Sequence, residues 1–146
     1  MSTWSHFLWL FWQAADGLLY AWPITAALAG MLVIALIRAR QQSSRTIRGG
    51  WSLQITPLVV PIAILALGAV YACEGCSPVS LGQGVRHARA GHAVDALLLV
   101  QVIAGLCFIR LASGRRFLSF ALQAIGLWCS FWASFLAGMS ISGDWI

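Results

Sequence analysis

Long apolar runs alternate with short polar ones along this chain, and the runs have the length of membrane spans. Apolar stretches at about 18–37, 53–72, 94–111 and 117–139 are divided by polar segments at 38–52, 73–93 and around 110–116. At 1.5 Å per residue, about 20 helical residues cover a hydrocarbon layer of about 30 Å. Ahead of the first run, Trp4, Phe7, Leu8, Phe11 and Trp12 recur at i, i+3, i+4, i+7 and i+8, the helical stripe. Indoles favour the headgroup region, where one end of the ring stays wet. Residues 4–15 are therefore read as a short interfacial aromatic helix, with Asp16-Gly17 marking the start of the first span. One tilted helix from Trp4 to Ile37 is the alternative. The pattern predicts an all-α integral membrane protein, one domain over 1–146, built as a four-transmembrane-helix bundle.

The breakers and small residues refine those spans. Pro23 and Pro57 fall in first turns, where a missing N–H costs little. Pro61 lies a turn deeper and is expected to kink the helix, which is tolerated when neighbours or water satisfy the carbonyl it frees. Ala26 with Gly30, and Ser130, Ser134 with Gly138, stand at spacing four and predict close-packing helix faces. Gln101 and Gln123 lie inside the third and fourth spans, at different depths, and each is expected to hydrogen-bond across a helix interface.

Charge orients the bundle. All nine basic residues are arginine, and seven fall in two clusters: Arg38, Arg40, Arg45 and Arg48, then Arg110, Arg115 and Arg116. Arginines flanking spans in this way mark cytoplasmic loops and lipid contacts, so the formal charge of +5 is not a nucleic-acid face. Both termini and segment 73–93 then lie outside, with the four acids Asp16, Glu74, Asp95 and Asp144 at or beyond that boundary. Residues 1–15 lack the basic residue that a signal peptide would carry. These features are those expected in a bacterial inner membrane, with the bilayer as first partner. At 60% hydrophobic and 9% charged residues, the chain has no polar segment large enough for a soluble catalytic domain.

Candidate chemistry is confined to the outer segment. Cys73 and Cys76, two residues apart, would suit a static disulfide or a redox pair. In helix count and in this one pair, the chain resembles the four-helix membrane oxidoreductases of the disulfide-bond-generating and vitamin K epoxide reductase families. Those families relay electrons through a second outer cysteine pair, which is missing here, since Cys107 and Cys129 are embedded in apolar runs. Cys73, Cys76, His87 and His92 would alternatively suit tetrahedral zinc or another metal, with Asp95 orienting the His92 imidazole from the second shell of the ion. No histidine lies well inside two spans, as a b-type haem would want. His6 reads as an interfacial polar residue. No serine–histidine–acid set, phosphate loop, paired catalytic carboxylates or buried acid for proton coupling stands out. The expectation is a non-catalytic subunit or accessory factor, partnered by other membrane subunits or by its own copies. The alternative is a thiol-redox or metal-handling protein using the outer segment.

Overall fold

A proline decides where the first helix stops. The computed structural model describes residues 2–41, 51–72, 81–111 and 116–142, of which 51–56, 81–87 and 111 are described as backbone only. Among the described residues the chain is helical except at Ser2, Ala21, Tyr71 and Ala72, and no strand occurs. The helices are α1 (Thr3–Tyr20), α2 (Trp22–Gln41), α3 (Trp51–Val70), α4 (Leu81–Leu111) and α5 (Arg116–Ser142). Three of them are long and apolar enough to cross a membrane: α2, the Ala88–Arg110 part of α4, and α5. The described apolar part of α3, Pro57–Val70, is shorter.

The expected break at Asp16-Gly17 is absent, and α1 runs on to Tyr20. Gly17 lies beneath the Trp132 ring, where a Cβ would come within 2.6 Å of Cε3, so this glycine serves packing. The chain breaks at Ala21 instead. Pro23 cannot donate to the Leu19 carbonyl and its ring crowds that group, so the helix yields just before it. The Thr25 hydroxyl donates to the Leu18 carbonyl at 2.8 Å and accepts from Trp128 Nε1 at 3.2 Å, holding the break against α5.

Beyond that break, the two helices continue one path antiparallel to α5. His6 meets Ser140, Gly17 meets Trp132, Thr25 meets Trp128, and Ala35 and Ala39 cluster with Leu118 and Ala121. Residues 2–41 thus resemble a single broken element alongside α5 more than a separate helix lying across its end. On α1 the tryptophans face outward, Trp4 67% and Trp12 66% exposed, while Leu10 and Ala14 turn into the bundle.

Helix α5 is the axis of the fold, touching each of the other four helices and α3 most extensively. A residue as small as glycine is needed where α3 crosses it. At Gly126 a Cβ would stand 2.5 Å from Pro57 Cβ and 2.7 Å from the Pro57 carbonyl oxygen. The Ser130–Ser134–Gly138 ladder divides: Ser130 is fully buried, whereas Ser134 and Gly138 line an open groove. Ala26 and Gly30, expected to pack closely, are both exposed.

Helix α4 begins at Leu81, well ahead of the expected start at Val94, and is 31 residues long. Val85-Arg86-His87-Ala88-Arg89-Ala90 contains no helix breaker, and Ala90 and Val94 are buried in the main core cluster. Good helix formers backed by packing outweigh Gly82, Gly84 and Gly91. Residues 81–93, expected to belong to an outer loop, are therefore helical.

Candidate functional site

A proline at position i leaves the carbonyl at i−4 without its helical donor. For Pro61 that carbonyl belongs to Pro57, at the point where α3, α4 and α5 meet. Gln101 of α4 supplies the donor: its Nε2 reaches the Pro57 carbonyl at 3.4 Å. The other half of the same amide accepts from Ser130 Oγ of α5 at 2.6 Å. Gln101 is 3% exposed and Ser130 fully buried, so the amide has no water to fall back on. One side chain thus joins three helices and satisfies the carbonyl that Pro61 leaves without a helical donor. Gln123 is elsewhere, against α4 at Gly105, so the two glutamines serve separate contacts as their depths predicted.

A second junction closes the opposite end. Ser140 Oγ donates to the Gly68 carbonyl at 3.0 Å, and His6 Nε2 lies 2.9 Å from the same oxygen. A hydroxyl has one proton, and here it is committed to the carbonyl. His6 must therefore donate, which makes Nε2 its protonated nitrogen. A general base would have to accept from the serine instead, so this pair is a tie between α1, α5 and α3 and not an activated nucleophile. Sequence reading placed His6 at an interface but had no signal for its partner, 134 residues away along the chain.

Of the candidate redox and metal set, only His92 and its expected neighbour Asp95 have described side chains. Cys73 and Cys76 lie outside the described residues. His87 and His92 both belong to α4, and the side chain of His87 lies outside the described residues. His92 and Asp95 are both exposed, and Asp95 borders the groove between α4 and α5. Among the described residues no group of three His, Cys, Asp or Glu side chains is placed to hold a metal. Cys107 is exposed and Cys129 half-buried, both as free thiols on helices. Of the two arginine clusters, Arg38, Arg40, Arg110 and Arg116 are exposed and lie at the ends of α2 and α4 and the start of α5, while Arg45, Arg48 and Arg115 fall outside the described residues; Arg89 is exposed in the outer part of α4, the end that also carries Asp95. The Arg38 guanidinium rests over the Phe117 ring, 5.5 Å from its centroid, a cation–π contact joining α2 to α5.

Comparison with protein-family models, curated proteins and solved structures finds no match for this chain.

Proposed function

We propose that this chain is a small polytopic inner-membrane protein acting as a non-catalytic subunit or accessory factor of a larger membrane complex. The observation that carries the reading is how its interior polar groups are used. His6, Thr25, Gln101, Ser130 and Ser140 each hydrogen-bond to another helix, so their chemistry is spent on assembly. The α2 span supports the same reading, because only 6% of it is buried by its own chain. Its faces away from α5 are open to lipid or to neighbouring helices. In the threading we favour, α2 to α5 are the four spans. The arginine ends face the cytoplasm, and both termini and the 73–80 connection face the periplasm.

Two measurements test this. Purification from native membranes in mild detergent should return the protein at fixed stoichiometry with other membrane subunits or with its own copies. Replacing Cys73 and Cys76 with serine should leave that assembly and its function intact. A clean monomer, or loss of function in the double-serine variant, would overturn the reading in favour of thiol-redox or metal handling at Cys73, Cys76, His87 and His92. For orientation, a periplasm-dependent phosphatase fused after residue 80 should be active; activity after residue 45 instead would reverse the threading.

A further inference from the structure

Packing gathers like charges at one end of the bundle. The small side chains of Ala35 and Ala39 let α2 close on α5 at Leu118 and Ala121, which sets Arg38 and Arg40 beside the start of α5. Arg116 opens α5, and Arg110 lies at the end of α4, which runs antiparallel to it. No carboxylate of the chain can meet these groups. Segments 38–52 and 110–116 hold seven arginines and neither Asp nor Glu. Asp95 lies about 22 Å from Arg110 counted along α4, and Asp16, beside the Gly17–Trp132 contact, lies about 24 Å from Arg116 along α5. Glu74 and Asp144 follow the far ends of α3 and α5 by four and two residues, a reach of at most about 14 Å. The opposite end carries both signs, with Arg89 and His92 within two turns of Asp95 on α4.

Two features make this end more than a row of solvated cations. Arg38 is held in place: its guanidinium rests 5.5 Å from the Phe117 ring centroid, a contact that uses its charge and leaves its N–H donors for an anion. Arg116, seven residues ahead of Gln123, shares that residue's face of the helix, the one toward α4. Between the two arginines lies Phe120, 49% exposed, on a strip of α5 that stays open because α2 and α4 make no contact with each other among the described residues. The strip is the second feature. It continues to Phe131, 57% exposed, eleven residues on and about 16 Å away on the same face. That is about half of a 30 Å hydrocarbon layer, the depth of one leaflet. Guanidinium groups at the head of an apolar strip of that length complement an amphiphile with a negative headgroup.

We propose that this face of α5 binds an anionic phospholipid, with the phosphate on Arg38 and Arg116 and one acyl chain lying along Phe120 and Phe131. Guanidinium donors match phosphate oxygens in geometry as well as charge. Free phosphate would meet the arginines but not the strip, whereas the lipid meets both.

Native mass spectrometry of the delipidated protein tests this, using phosphatidylglycerol and phosphatidylethanolamine with identical acyl chains as competing probes. Phosphatidylglycerol should be retained in preference. Arg38→Gln should weaken its retention about fivefold, the scale of one basic residue at an anionic lipid surface. Phe117→Leu keeps the apolar surface but removes the ring that holds Arg38, so it should weaken retention as well. Arg89→Gln removes the same charge at the opposite end and should leave retention unchanged. Equal retention of the two lipids by the unmodified protein would overturn the proposal. So would equal losses in the Arg38 and Arg89 variants, because net charge alone would then explain binding. Displacement of phosphatidylglycerol by millimolar inorganic phosphate would overturn it too, since the strip would then contribute nothing. Loss of the preference in protein isolated together with partner subunits would also overturn it, because an acidic partner would then hold the site.

Discussion

Replacing Gln101 with leucine should lower the stability of the bundle by about 2 kcal/mol, and most of that loss should vanish when Pro61 is alanine. The first half follows from burial. Leucine removes the donor to the Pro57 carbonyl and the acceptor of Ser130 Oγ, both in a region that offers no water. The second half follows from why Gln101 is needed. Pro61→Ala returns a backbone N–H to α3, and that N–H can take the Pro57 carbonyl in the ordinary i→i−4 bond. With the carbonyl satisfied inside α3, only the Ser130 hydroxyl loses its partner, and a helical serine can turn back to a carbonyl of its own helix. Unfolding in mixed micelles gives the four stabilities of the double-mutant cycle. A coupling energy near zero would show that Gln101 does not serve the proline-freed carbonyl.

Gly126→Leu should be more damaging, costing about 3 kcal/mol or preventing assembly of α3 against α5. The first added atom would already stand 2.5 Å from Pro57 Cβ and 2.7 Å from its oxygen, and neither is the end of a flexible side chain. Helix α3 would have to move away from α5, which would also stretch the Gln101 bond. Gly30→Leu provides the internal control. It adds the same side chain to an apolar helix, but at a position with nothing within 4 Å. Its stability should match that of the unmodified protein. If the two leucine variants unfold alike, the glycine at the α3–α5 crossing is not a packing requirement.

These two positions show how far the sequence reaches. Pro61 announced that a carbonyl would be freed, and Gln101 announced a polar group in need of a partner within an apolar run. Both statements are local, set by valence and by the absence of water in a bilayer. That the two needs answer each other depends on which faces of α3 and α4 meet, and periodicity does not report that in a membrane. In a soluble helix the apolar stripe points inward and so reveals the packing face. Here lipid is as apolar as the core, so bulky residues such as Trp4 and Trp12 are free to face outward while Leu10, Ala14 and Gly17 pack. The same ambiguity explains the small-residue stripes. Ala26 and Gly30 looked like a packing face and are exposed, whereas Ala35 and Ala39 are buried.

The limits of the helices were legible only in part. Asp16-Gly17 and the glycines of 82–91 read as breaks, because each glycine weakens an isolated helix by about 1 kcal/mol. Packing against α5 overrode that local preference at Gly17 and in the outer part of α4. At Pro23 it could not, because a missing donor and a ring clash are covalent facts. From the sequence alone came helices long and apolar enough to cross a membrane, the arginine clusters that flank them and the carbonyl freed by Pro61, since length, charge and covalent geometry act locally. Tertiary structure alone decided that α1 lies along α5 tied by His6, that Gln101 bridges three helices, and that Asp95 borders an open groove. Each of those depends on which faces meet, and a chain whose surroundings are as apolar as its interior does not encode that choice in its hydrophobic pattern.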